Sequence, residues 1–228
     1  MTRVLGVIVA RRNSRRLPGK NVKPLMGKPL VLWTIEQALT AKSLDRIVLS
    51  SDDERVFALA RGIDGIEAQP RPESLARDET PSADVLRHVI EVIGEEGQTF
   101  SHVALLQPTT PLRTSADIDA TVAAVLETDA RSSISVAPLG KPAAWLMSDR
   151  GEGRLTPVFG PDDEDSEAAL FVPNGAVFVI ETGWLMAGND FYAAPPAYHV
   201  MPAERSVDID DAYDFVLAEA IGAGRGFQ

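Results

Sequence analysis

The segment Val4–Ala10 reads Val-Leu-Gly-Val-Ile-Val-Ala, with no polar side chain at any position. A strand with one face in water alternates apolar and polar residues. An unbroken short run rich in β-branched residues reads instead as a strand buried on both faces, the kind found in parallel sheets covered by helices. The next elements keep to that plan. Pro29, favourable at a helix start because its φ is preset and its missing N–H has no partner there, opens a helical stretch to about Ser43 with Leu32, Ile35, Ala38 and Leu39 apolar. Arg46–Ser50 reads as a strand, Asp53–Arg61 as a helix and Gly65–Ala68 as a short strand. Ser82 is a candidate cap for a helix from Ala83 to Glu95, His102–Leu106 is a strand, Thr114 or Ser115 can cap a helix to about Glu127, and Ser132–Ala137 is a further strand. This alternation predicts an α/β fold, a Rossmann-like and mostly parallel sheet with binding loops at the carboxyl ends of its strands.

After Pro138 the pattern changes. Residues 139–169 carry glycine, proline and the acidic run Asp162–Asp165, and Phe171–Ile180 reads as a β-segment interrupted by Pro173-Asn174-Gly175. We expect residues 1–138 and 201–228 to form the core, closed by a helix over Asp211–Ile221, and residues 139–200 to form a β-rich insertion serving as a dimerisation and sugar-site flap. The length of 228 residues suits one α/β domain with such an elaboration.

Charge narrows the function. The chain carries a net −11, which argues against nucleic acid as a partner. Yet between Arg11 and Lys28 lie seven basic residues and no acid, which marks a localised anion site or a solvated basic loop. There is no cysteine, hence no disulfide or thiolate metal site. No apolar stretch approaches the roughly 20 residues of a membrane span, and no secretory signal is evident, so a cytoplasmic protein is the expectation.

The segments that carry chemistry follow strands. Ala10–Asn21, Ala-Arg-Arg-Asn-Ser-Arg-Arg-Leu-Pro-Gly-Lys-Asn, comes directly after the first strand, where backbone N–H groups and cations commonly hold nucleotide phosphates. It matches neither the Walker A pattern nor Gly-x-Gly-x-x-Gly. Gly19 permits an unusual backbone angle beside Lys20, a flexible point charge. Asp208 and Asp210 alternate in an extended segment and so share one face, which suits Mg²⁺ shared with substrate phosphates. Asp210 also precedes a helix and could serve as its cap. Gln107 offers a donor and an acceptor at a strand end, Arg71 sits on a loop near the sheet edge, and Asn174-Gly175 is a hairpin-turn signal as well as a candidate site.

In order along the chain, residues 10–21, 24–30, 45–54, 71–80, 105–113, 173–178 and 206–210 resemble the CMP-N-acetylneuraminate synthetase family, which includes bacterial CMP-legionaminate and CMP-pseudaminate synthetases. The resemblance implies a nucleotidyltransferase fold, a homodimer, Mg²⁺ as cofactor, and transfer of CMP from CTP to an acidic sugar. By motif it places Arg11, Arg12, Asn13, Ser14, Lys20, Asn21 and Arg71 on the nucleotide, and Gln107, Asn174, Phe178 and Phe191 on the sugar. It places Asp208 and Asp210 on the metal, with Lys20, Arg11 and Asp210 nearest the chemistry, while His88, His102 and His199 fall in no motif. One position departs: sialate members carry arginine just before the proline of Pro-Asn-Gly, and here that residue is Val172. The departure keeps open a phosphonate or sugar-phosphate acceptor. A non-catalytic nucleotide-binding regulator is the alternative from another class.

Overall fold

The computed structural model describes residues 2–149, 151, 153–160 and 168–224; the acidic run at Asp162–Asp165 lies outside them. In chain order the elements are β1 (Val4–Ala10), β2 (Pro24–Leu25), β3 (Lys28–Pro29), α1 (Leu30–Thr40), β4 (Arg46–Ser51), α2 (Glu54–Ala60), β5 (Glu67–Pro70), α3 (Ser82–Glu95) and β6 (His102–Leu106). There follow α4 (Ser115–Leu126), β7 (Ser132–Pro138), β8 (Met147–Asp149), β9 (Leu155–Pro157), β10 (Phe171–Glu181), α5 (Thr182–Met186), β11 (Ala197–Val200) and α6 (Ala212–Gly224).

Seven strands form one sheet in the order β11-β7-β10-β6-β1-β4-β5. The apolar run of β1 is its centre, parallel to β4 on one side and β6 on the other. Its side chains divide as strand geometry requires. Val4, Ile8 and Ala10 pack with Val31 and Ile35 of α1 and Ile118 and Val122 of α4, whereas Leu5 and Val7 pack with Leu86 and Val89 of α3. Helices therefore cover both faces, as the sequence predicts. The chain order reverses beside β1, because β4 and β5 extend one way and β6 lies the other way. That reversal opens a crevice at the carboxyl ends of β1 and β6.

The expected insertion over 139–200 needs correction. β10 lies inside the sheet, antiparallel to both β6 and β7, and β11 pairs parallel with β7 at the edge. Ala176–Ile180 is buried. Among the described residues no crossover helix separates β7 from β10, so the chain can only return antiparallel. Only the β8–β9 hairpin stands apart as a sheet of its own. Pro173-Asn174-Gly175 makes no hairpin either. It is a bulge within β10, where the register against β7 jumps between Pro173 and Phe178.

The helix starts differ in detail. Thr114 caps α4 through a full capping box with Asp117. Ser82 is the first residue of α3 and makes no capping bond, and Pro29 sits just outside α1. A third apolar cluster joins α6 (Phe215, Ala218) to Leu25, Leu30, Trp33 and Ile209, with Leu17 and Met26 against it. It fastens the basic loop and the Asp208–Asp210 segment to the same helix. Among the described residues no helix is long and apolar enough to cross a membrane.

Candidate active site

The crevice beside β1 holds a cleft of about 300 Å³ lined by Arg11, Ser14, Lys20, Asn21, Arg71, Gln107, Asp208 and Asp210 among others. Three walls built from distant parts of the chain meet there. A larger hollow of about 880 Å³ lies around Ser101 and His102, at the opposite, amino ends of β1 and β6. Anion-binding loops collect at the carboxyl ends of parallel strands, so the smaller cleft is the chemical candidate.

The first wall is the loop after β1. Gly19 adopts φ 68°, a left-handed conformation that costs a residue with a Cβ about 1–2 kcal/mol. That turn sends the Lys20 side chain inward, where Nζ donates to the carbonyl of Ile209 at 2.5 Å and lies 4.0 Å from Asp210. Burial lowers the Lys20 pKa, and Asp210 and Asp208 work against that shift. Asn21 donates to the Arg11 carbonyl at 2.9 Å, so its side chain holds the loop in place as well as lining the cleft. Arg12 and Asn13 point elsewhere and border neighbouring hollows. The Arg12 amide is bonded to Asp52 at 2.7 Å.

The second wall follows β5. Arg71 is 9% exposed and donates to the Ser50 carbonyl at 2.8 Å; among the described residues it has no ion-pair partner. Burial lowers its pKa to about 10, with Asp52 opposing and Arg11 adding to the shift, so it stays cationic at neutral pH. Arg77, Asp78, Thr80 and Ser82 complete this wall. Their loop has no periodicity, and in the sequence its polarity and the resemblance of residues 71–80 set it apart.

The third wall carries Gln107, Asp208 and Asp210. Arg113, fully buried, donates to the carbonyls of Gln107 at 2.6 Å and Ala176 at 2.5 Å, and also to Thr34. It ties the ends of β6 and β10 together beneath Gln107, and burial lowers its pKa to about 9. The extended Asp208–Asp210 segment turns both carboxylates to the cleft and buries Ile209 between them. Asp208 keeps an accessible edge, yet crowding raises its pKa. Loss of solvation is the main cause, a hydrogen bond from Thr109 opposes it, and the charge of Asp210 adds to it.

Asp210 does not cap the last helix. Asp211 does, accepting from the amides of Tyr213 at 2.8 Å and Asp214 at 3.1 Å, while Asp214 accepts from the amides of Asp210 and Asp211. The Asp210 carboxylate is left for Arg16, at 2.8 Å, and for whatever enters the cleft.

For Gly175 sequence reading gave a turn signal, and the structure gives a place against Asp208. It has φ 74°, and a Cβ there would lie 2.8 Å from Asp208 Oδ2 and 3.1 Å from Gln107 Oε1. The glycine thus clears the space around the carboxylate. An Asn-Gly pair signals left-handed backbone equally in a turn and in a bulge, so sequence could not separate the two. Asn174 itself is 4% exposed and faces inward. Ser135 donates to its Oδ1 at 2.7 Å and its Nδ2 donates to Ser206 at 2.9 Å. Phe178 and Phe191 pack with ring centroids 5.3 Å apart and planes tilted by 50° in the core cluster under α3, and border no part of the cleft. These three positions, expected on the sugar, support the wall from behind.

Two carboxylates on one face, with Gly175 leaving room beside them, fit a hard divalent cation that takes its remaining ligands from phosphate and water. Among the described residues no cluster of three or more His, Cys, Asp or Glu side chains occurs that could hold a metal ion by itself.

Comparison with known proteins gives the family. A family profile described as Cytidylyltransferase matches residues 5–150. The chain is 32% identical to the CMP-N,N'-diacetyllegionaminic acid synthase of Legionella pneumophila, over 96% of each chain. It is 29% identical to the N-acylneuraminate cytidylyltransferase of Escherichia coli, covering 96% of this chain but spanning only 52% of that relative. Among solved structures, a CMP:2-keto-3-deoxy-manno-octonic acid synthetase complexed with CTP superposes with a TM-score of 0.73 over 98% of this chain and all of the other. The identity is 16%, so that likeness bears on the fold alone. The chain belongs to the cytidylyltransferase family and is a CTP-dependent nucleotidyltransferase.

Proposed function

We propose that this protein transfers CMP from CTP to the anomeric hydroxyl of a nonulosonate, a 2-keto sugar acid of the legionaminic or sialic type, and releases pyrophosphate. The observation that carries the reading is the opposition, across one cleft, of Lys20, Arg11 and Arg71 to the Asp208–Asp210 pair. A nucleoside triphosphate needs both: cations along its phosphates, and carboxylates to share a metal with them.

In this reading the hydroxyl oxygen attacks the α-phosphorus, the bond to the β-phosphate breaks, and the hydroxyl proton leaves to solvent or a nearby carboxylate. The protein contributes position and charge. Lys20 and Arg11 offset the charge on the triphosphate and the departing pyrophosphate, and Arg71 anchors the nucleotide. Gln107 faces the acceptor. Asp208 and Asp210 would hold Mg²⁺, which supplies charge neutralisation at the phosphate oxygens when bound. The use of CTP fits a cytoplasmic site of action. A homodimer is supported by the apolar side chains left exposed on and near the β8–β9 hairpin, Trp145 and Leu155 at 67% each, with Met147 and Val158.

The test is pyrophosphate release from CTP and Mg²⁺ across a panel of keto-sugar acids, phosphonates and sugar phosphates. A nonulosonate is expected to be the best acceptor. Val172 stands where the resemblance gives sialate members an arginine, so N-acetylneuraminate, the acid of those members, is expected to trail the best acid by about tenfold or more. A phosphonate or sugar phosphate as the best acceptor would replace the proposed substrate class. No release with any acceptor would leave the cleft to nucleotide binding alone.

A further inference from the structure

Asp78 stands where an anion should. Arg11 Nη1 reaches its Oδ1 at 2.5 Å and Arg15 Nε pairs with its Oδ2, so one carboxylate from the loop after β5 draws together two cations of the loop after β1. It is held differently from the aspartates that brace the fold. Asp45, Asp52, Asp53 and Asp117 each accept a backbone N–H, which fixes the carboxylate as firmly as the chain itself. Among the described residues Asp78 is held by side chains alone, and those side chains are 38% and 80% exposed. Meanwhile the main chain at Arg11 and Arg12 is pinned independently, by Asn21 and Asp52. The Arg11 guanidinium can therefore exchange one anion for another without moving the main chain that carries it, and the exposed Arg15 side chain is free to follow.

Arg71, Arg77 and Asp78 also border both the cleft, about 300 Å³, and an adjoining hollow of about 670 Å³. The smaller space lies at the lower limit for a pocket that encloses a small organic ligand. A nucleoside triphosphate together with a sugar acid exceeds it. The Asp78 contact is thus a partition across the room the substrates need, made of the same charge type as the incoming phosphates.

We propose that Asp78 is a displaceable internal anion that occupies a phosphate position between Arg11 and Arg15 in the empty cleft, and that nucleotide entry exchanges it for phosphate and joins the two hollows. The proposal rests on the reading of this cleft as the CTP site. It makes Asp78 a positioning residue that competes with substrate and sets nucleotide affinity.

The experiment is calorimetric titration of CTP, and separately of inorganic triphosphate as a pure phosphate probe, into the native protein, Asp78→Asn, Asp78→Ser and Asp78→Glu. Removing the competing charge should tighten both ligands by about two- to tenfold, the range set by losing a pair of exposed ion pairs. Asp78→Glu should bind with near-native affinity. Circular dichroism confirms folding of each variant, and the serine variant answers if the asparagine variant misfolds. Unchanged or weaker binding in the neutral variants, with native binding intact, overturns the proposal and leaves the nucleotide reading standing. A native protein that binds neither ligand overturns both.

Discussion

The tripeptide Asp-Ile-Asp occurs twice in this chain, at 117–119 and at 208–210, and does opposite work in the two places. Both isoleucines are fully buried, so the difference lies in the aspartates. At 117–119 the backbone is the first turn of α4, and residues two apart diverge by about 200° around the axis. Asp117 turns inward to Thr114, Arg205 and His199, while Asp119 accepts from the amide and hydroxyl of Ser43 at 2.9 and 2.7 Å. At 208–210 the backbone is extended, so both carboxylates face the cleft. The hydrogen bonds and ion pairs they find there come from side chains: Thr109 for Asp208, Arg16 and Lys20 for Asp210. The same residues fasten the structure where backbone amides and a bidentate arginine satisfy them. They line a site where their partners are side chains alone and both carboxylates face the cleft.

The largest expected effect is on the fastener. Asp117→Ala removes the carboxylate that Arg205 and the capping box of α4 share, and should lower unfolding free energy by about 2–4 kcal/mol in urea titration. Turnover per folded molecule should stay within a few-fold. Asp210→Ala should do the reverse, with turnover down by about 10²–10³ and the urea midpoint nearly unmoved. If Asp117→Ala abolishes turnover in folded protein, or Asp210→Ala unfolds it, the division between fastener and site collapses.

A smaller effect follows from pH. Burial would raise the Asp117 pKa, but hydrogen bonds from Arg205, Thr114 and His199 outweigh it and hold the pKa down to about 2. A depressed carboxylate stabilises the fold fully above its unfolded value of 3.8, and that contribution fades as pH falls from there towards about 2. The difference corresponds to about 2 kcal/mol. Native protein should therefore lose stability through that window, and Asp117→Asn should show a flatter profile there. Equal acid slopes in the two proteins would show that Asp117 is not the group responsible.

How much of this was legible in the sequence divides along the same line. β1, α1, α3 and α4 were legible because apolar periodicity is a local signal, and burial on both faces leaves no polar position in the strand. Lys20 was legible in a basic loop after the first strand, where the fold gathers its binding loops, whereas Arg71, Gln107, Asp208 and Asp210 each had a plain structural alternative and stood out only through the ordered family resemblance. β10 and β11 were misjudged as parts of a flap because strand pairing is decided by distant partners, and Pro173-Asn174-Gly175 imitates the end of a hairpin. Asn174, Phe178 and Phe191 had the right residue types, but sequence carries no sign of which side of the wall a side chain takes. Asp78 looked like one acid in a polar loop, since nothing nearby in the sequence announces that Arg11 and Arg15 lie opposite.

The smallest effect gives the sharpest test, because it concerns neighbours. Asp210 and Asp211 are adjacent carboxylates before one helix, and either could cap it on sequence grounds. In the structure the Asp211 carboxylate accepts the amides of Tyr213 and Asp214, and the Asp211 amide donates in return to the Asp214 carboxylate, which is a capping box in all but residue type. Losing a cap of this kind costs about 0.5–2 kcal/mol. Asp211→Ala should accordingly lower the unfolding midpoint slightly and leave kcat and the Mg²⁺ dependence unchanged, since its carboxylate is spent on α6. Asp211→Asn should recover most of the lost stability, because an amide oxygen still accepts the two N–H bonds. Asp210→Asn should recover little turnover, because a neutral oxygen is a weak partner for a divalent cation. Rescue of turnover by Asp210→Asn, or a turnover defect in Asp211→Ala, would mean that the two neighbours share one role, and the metal assignment of Asp210 would lose its footing.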